Sequence, residues 1–206
     1  MARYTGPKVK LSRRLSTNLF ENEKGRKAME RRPFPPGQHG RTRRRGAGSE
    51  YLTQLQEKQK AKYIYGVLER QFRKTYEEAT RLSGPTGENL LRLLECRLDN
   101  VVYRAGWAST RPQARQFVSH GLVMVDGKRV NIPSFQLRPG DTVEVAEASK
   151  AQLRIKGAAE AAESRGLPEW LEVDTKGMKG KLKALPARSD LPSTINENMV
   201  IELYSK

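Results

Sequence analysis

The chain has 206 residues, a formal net charge of +16 and an isoelectric point near 10.2, the electrostatic footprint of a nucleic-acid binder rather than of an ordinary enzyme. Hydrophobic residues make up 36%, enough for one or two small cores but not for a single large one. No apolar run approaches the length of a membrane span, and Met1-Ala2-Arg3-Tyr4 leads into no signal-like stretch, so a cytoplasmic protein is expected.

Charge is concentrated at the amino end, where residues 1–50 hold 14 Lys or Arg against four Glu, a net +10. Little hydrophobic periodicity runs from Met1 to Gly48, which reads as an extended basic arm that becomes ordered only on a polyanion. Pro33, Pro35 and Pro36 oppose helix, Gly37 and Gly40 favour turns, and Arg41, Arg43, Arg44 and Arg45 form a run that repels itself in water. A disordered solubilising tail is the alternative, although such a tail has no use for Tyr4, Phe20 and Phe34. Ser49 is the predicted N-cap of a helix whose stripe runs through Leu52, Leu55 and Gln59. A second helix carries Ile64, Val67, Leu68, Phe72, Tyr76 and Ala79, and Gly84-Pro85 closes this helical hairpin. Lys58, Lys60 and Lys62 are spread around the first helix, so they cannot all face one ligand.

Glu88 to Arg104 is predicted as one helix with Leu91, Leu94, Leu98, Val101 and Val102 inward, and Trp107 as a core plug in the turn that follows. The single cysteine, Cys96, excludes an internal disulfide and reads as a small buried hydrophobe. Thr110 and Gln113 have the spacing of a capping box, Pro112 lies in the first turn, and Gly121 ends the next helix. Its buried stripe is Ala114, Phe117, Val118 and Gly121; Arg111 and Arg115, one turn apart, are expected to face outward with an anion between them. Leu122–Val125 and Arg129–Ile132 flank Asp126-Gly127-Lys128 as a β-hairpin, and Pro139-Gly140-Asp141 turns the chain before Val143 and Val145. Ser149 would cap an Ala-rich helix running to Arg165. A strand is expected over Trp170–Val173, a flexible basic turn over Lys176–Lys181, and a terminal strand over Met199–Tyr204.

Catalytic chemistry is missing. His39 and His120, with one cysteine, cannot assemble a usual zinc set, and no phosphate-cradling, dinucleotide-binding or nucleophile-elbow motif occurs. Asp99, Asp126 and Asp141 have turn or capping roles, so neither a catalytic residue nor a cofactor is expected. The fold class is α+β: a basic arm (1–48), a small helical domain (49–92, completed by the tail 184–206), and a basic module of two helices on a small antiparallel sheet with the helix and strands that follow (93–183).

Several long, ordered motifs carry a resemblance. They are MARYTGPKVKLSRRLSTNLF at 1–20, PPGQHG at 35–40, EKQK at 57–60, YGVLERQFRKTYEEA at 65–79, GENLLRLLECRLDNVVYRAGWASTRPQARQFVSHG at 87–121, PEWLEVD at 168–174 and INENMVIELYSK at 195–206. End to end, the chain resembles the bacterial form of the fourth-protein (uS4) family of the small ribosomal subunit. The resemblance implies that residues 93 to about 150 are an RNA-binding module shared with some pseudouridine synthases, synthetases and heat-shock proteins. It implies a structural constituent of the 30S subunit that binds the 5′ domain of 16S rRNA early, at a junction of helices, and nucleates assembly of the subunit body. Contact with the fifth small-subunit protein, a place near the path by which mRNA enters, an effect on decoding accuracy and, in some members, repression of their own operon are implied too, with no homo-oligomer. Some relatives carry an amino-terminal cysteine cluster consistent with zinc; Ser12 stands in that motif here, which implies the zinc-free form.

The RNA contacts expected in the module are Arg97, Arg104, Arg111, Arg115, Gln116 and His120, with Lys128 at its rim. In the arm and hairpin they are Arg3, Lys8, Lys10, Arg13, Arg14, Gln38, His39, Arg41, Arg43, Arg44, Arg45, Tyr51, Lys58 and Lys62. These would hold phosphate and sugar and read the shape of a junction, since A-form grooves hide most base edges. The hairpin has Asp126-Gly127 where Asn-Gly is expected, which keeps the turn but argues against close RNA contact there. A duplex-DNA architectural protein and an RNA-modifying enzyme are the rival classes, and a modification enzyme would need a catalytic domain for which there is no room.

Overall fold

The computed structural model describes residues 4–42, 48–163 and 166–205. In chain order its helices are α1 (Lys8–Leu15), α2 (Glu23–Arg31), α3 (Glu50–Ile64), α4 (Glu69–Ala79), α5 (Thr86–Glu95), α6 (Leu98–Arg104), α7 (Arg111–Ser119), α8 (Glu147–Lys150), α9 (Leu153–Glu163) and α10 (Glu197–Ser205). The strands are β1 (Val123–Val125), β2 (Lys128–Arg129), β3 (Thr142–Val145), β4 (Leu171–Asp174) and β5 (Lys179–Leu182). The α+β class expected from the sequence holds. The chain divides into two compact units, Met1–Gly87 with Ser193–Lys206, and Glu88–Pro192.

In the first unit the arm is not the extended segment its composition suggests. Leu11 and Leu15 lie one turn apart on α1 and are buried together with Leu19, a short i, i+4 stripe hidden among lysines and arginines. Asn22 caps α2 by accepting from Gly25 N, and Ser49 caps α3 by accepting from Leu52 N, as the sequence predicted for Ser49. On α3 the inward face differs from expectation: Gln54, Glu57, Ala61 and Ile64 are buried whereas Leu52 is exposed. The reason is the tail. Residues 197–205 form a helix rather than the expected strand, and Glu202 of α10 accepts from Gln54 Nε2 at 3.0 Å while Asn196 N donates to Glu57 Oε2 at 3.2 Å. The apolar run Met199–Ile201, with β-branched Val200 and Ile201, suggested a strand, but a helix presents Val200 to the core and stacks Tyr204 on Tyr76, ring centroids 4.6 Å apart.

The second unit is a five-stranded antiparallel sheet, order β2-β1-β3-β5-β4, covered by helices. Its core joins Leu98, Val101, Val102, Trp107, Phe117, Val118, Val123, Val143, Val145 and Leu182, with Trp107 the plug the sequence predicted. The expected single helix 88–104 is broken after Glu95. Cys96 O accepts from Leu137 N at 2.9 Å, and Leu98 N donates to Phe135 O at 2.9 Å, so loop 133–137 takes the backbone groups a continuous helix would need. The hairpin turn forms at Asp126 (φ 47°) and Gly127 (φ 74°), but its second strand is only Lys128–Arg129. Ser149 does not cap the Ala-rich helix; it is buried inside α8, and Gln152 O receives Ile155 N and Lys156 N at the start of α9. The expected end of that helix at Arg165 lies outside the described residues. The basic stretch 176–181 is half strand, because Gly180 and Leu182 alternate inward on β5.

Candidate nucleic-acid interface

Helix α7 is fixed at both ends by local chemistry. Thr110 Oγ1 accepts from Gln113 N at 3.4 Å, and Gln113 Oε1 accepts from Ser109 N at 2.8 Å, a capping box reaching one residue further back than usual. At the other end Gly121 takes φ 66°, with Gly121 N donating to Val118 O and Leu122 N to Phe117 O, the paired bonds of a Schellman stop. Arg129 Nε donates to Gly121 O at 2.6 Å, placing a cation at the negative end of the helix.

Arg111 and Arg115 do not face outward. They retain only 9% and 7% exposure and join Arg97 and Arg104 in an internal lattice with Glu95, Asp99 and Asn100. Glu95, fully buried, accepts from Arg104 Nε at 3.0 Å and Nη2 at 2.7 Å and also from Asn100 Nδ2. The Asn100 amide oxygen then accepts from Arg111 Nε at 2.8 Å, and the Arg111 guanidinium lies 4.5 Å from the Tyr103 ring centroid. Asp99 accepts from Arg97 through both oxygens at 3.1 and 3.0 Å, with Arg115 Nε 3.9 Å away. Helical spacing alone placed Arg111 and Arg115 off the Phe117 stripe, but that flank of α7 lies against α6, whose Asn100 and Asp99 receive them. Gln116, His120 and Lys128 are exposed and make up the outward edge of this module. Asp126, in the hairpin turn, uses Oδ1 to accept from Thr142 N at 2.9 Å, so its carboxylate braces β3.

In the first unit Lys10, Arg14, Gln38, His39, Arg41 and Tyr51 are exposed. Arg3 and the arginines at 43–45 lie outside the described residues. Lys8 sits 5.3 Å from the Phe20 ring centroid, and Arg13 donates to the carbonyls of Arg32, Phe34 and Pro35 while lying 5.1 Å from the Phe34 ring, so Arg13 folds the proline turn. Lys58 and Lys62 are likewise internal, both paired with Glu69 at 2.8 and 3.3 Å. Burial works to raise the Glu69 carboxyl, but hydrogen bonds from Lys58 and Tyr204, the Lys58 charge and Lys62 outweigh it and hold it below its ordinary value. Sequence reading passed over Arg70, Arg73 and Lys74, exposed along the outer side of α4 opposite Phe72, and Arg81, exposed in the turn after it; the i, i+3, i+4 spacing of the first three was the available signal. Among the described residues no three His, Cys, Asp or Glu side chains gather as metal ligands, and no helix is long and apolar enough to cross a membrane.

Two family models match this chain: the ribosomal protein S4/S9 N-terminal domain over residues 3–95, and the S4 domain over residues 96–143. The small ribosomal subunit protein uS4 of Nitrosospira multiformis is 58% identical over 212 residues, that of Hahella chejuensis 57% over 209, and that of Pseudomonas putida 58% over 209, each alignment covering the whole of both chains. The chain belongs to the uS4 family. That family is a structural component of the small ribosomal subunit, not an enzyme. In this uS4 chain the S4-domain match ends in β3, so α8 and α9 follow it and β5 and β4 extend the sheet beyond it. The boundary between the two matches falls between Glu95 and Cys96, which puts the buried carboxylate in one match and its partners Asn100 and Arg104 in the other.

Proposed function

We propose that this uS4 chain acts in the cytoplasm as a primary binder of the 5′ domain of 16S rRNA, where it nucleates assembly of the small-subunit body. The observation that carries the reading is the S4 module itself. It presents Gln116, His120 and Lys128 outward on a chain of net charge +16, the combination of electrostatic attraction and a rigid edge that suits an RNA junction. Contact with the fifth small-subunit protein, a position near the path by which mRNA enters, a contribution to decoding accuracy and repression of its own operon belong to the same reading and rest on the family. The chain acts as a single copy and without metal.

Chemical footprinting of the purified protein on naked 16S rRNA is the test. Protection confined to helices of one junction in the 5′ domain is expected, and dispersed protection, or equal competition by duplex DNA, would overturn the reading. Affinity should depend strongly on salt: neutralising about six phosphates gives a log–log slope near −5.

A further inference from the structure

Four guanidiniums and two carboxylates share the space between the end of α5 and the facing sides of α6 and α7. Stability is a poor reason to keep them, since the desolvation cost of a buried ion pair often equals its attraction and an apolar replacement serves as well. Holding two elements in a fixed register is the better-attested use of such groups. Glu95 is at the centre. It clamps Arg104 from the end of α6 in a two-pronged bond and holds the Asn100 amide, which turns its oxygen toward Arg111 on α7. One carboxylate thus ties α5, α6 and α7 together.

We infer that Glu95 is a positioning residue that sets RNA specificity. An arginine left to swing in solvent binds phosphate on any RNA and adds affinity without discrimination. Clamped by Glu95, Arg104 becomes a strut that fixes α6 against the end of α5, Asn100 passes that register to Arg111 on α7, and the RNA is read by the outward edge of α7, with Gln116 and His120 one turn apart. The inference rests on the RNA-binding reading above and adds to it which buried group makes that binding selective.

The experiment uses the full chain and two probes, a transcript of the 16S rRNA 5′ domain and an unrelated RNA duplex, titrated over a range of salt. The wild type is read first, and equal affinity for both probes would sink the RNA-binding reading and this inference with it. With selectivity established, Glu95→Gln keeps the shape and removes the charge. Affinity for the 5′ domain should fall about tenfold, the scale expected of a group that touches no ligand but positions the element that does. Affinity for the duplex should hold or rise, with a salt slope steeper by about 0.9 as the released Arg104 takes a phosphate. A parallel fall on both probes, leaving selectivity unchanged, overturns the inference. Arg104→Gln supplies an independent reading: a strut leaves the salt slope at the wild-type value while affinity for the 5′ domain falls, whereas a phosphate contact flattens the slope by about 0.9 and overturns it. Should Glu95→Gln fail to fold, Arg104→Gln decides alone.

Discussion

Replacing Arg111 with alanine is expected to lower stability, because the side chain is buried, donates to Asn100 Oδ1 and covers the Tyr103 ring. Losing one charge-assisted hydrogen bond and leaving the Asn100 oxygen without that donor costs about 2 kcal/mol, which for a chain of this length lowers the melting temperature by roughly 4–8 °C. Thermal unfolding followed by circular dichroism checks this, and a shift under about 1 °C would show that Arg111 holds nothing. A second residue-scale expectation concerns Cys96, 3% exposed, whose thiol is pushed up to about 12 by burial, reinforced by Glu95 and opposed by Arg92. A thiol reagent at pH 8 should leave it untouched in the native protein and label it fully in guanidinium chloride. The burial of Cys96 was legible because a lone cysteine among leucines has little else to do. That of Arg111 and Arg115 was not, because spacing gives the angle of a residue around its helix but not what lies opposite, and here it is Asn100 and Asp99 on α6.

Among the elements, α10 shows how a polar interface holds a terminal helix. Tyr204 stacks on Tyr76, and its hydroxyl donates to Glu69 Oε1 at 2.9 Å, while Lys58 and Lys62 approach the same carboxylate. A carboxyl held below its ordinary value of 4.5 adds stability that is fully present above that value and is lost as pH falls through the lowered one. Wild type should therefore melt above Glu69→Gln at pH 6, and the margin should narrow as pH falls below 4.5 and the glutamate takes up its proton. A difference that does not change with pH would mean that the cluster acts by shape rather than charge. The sequence reading assigned the tail to the helical domain but not these contacts, because they join residues far apart, such as Gln54 and Glu202, and because buried Gln and Glu on α3 break the apolar-inward rule. Elements governed by local rules were legible instead: the Ser49 and Thr110 caps, the Gly121 stop and the Asp126-Gly127 turn all form where the sequence put them.

Across the whole molecule, charge and packing make opposite demands on the amino-terminal segment. Its net +10 over residues 1–50 favours an arm that stays open until RNA neutralises it. Against that stand Leu11, Leu15 and Leu19, all buried, the Tyr4 ring edge-on to Tyr63 at 5.4 Å, and Arg13 bonded to three carbonyls of the proline turn. Burying three leucines contributes about 5 kcal/mol or more, and the cations that would repel are partly occupied, Lys8 over Phe20 and Arg13 over Phe34. Packing is expected to win without RNA. Trypsin must unfold its target locally, so the peptide bonds after Lys10, Arg13 and Arg14, all within α1, should resist digestion in the RNA-free protein for times that fully cleave a denatured control. Adding 16S rRNA should change the rate at these bonds little. Fast cleavage there in the free protein, suppressed by RNA, would mean that the leucines are too few to hold the segment and that α1 folds only on its partner.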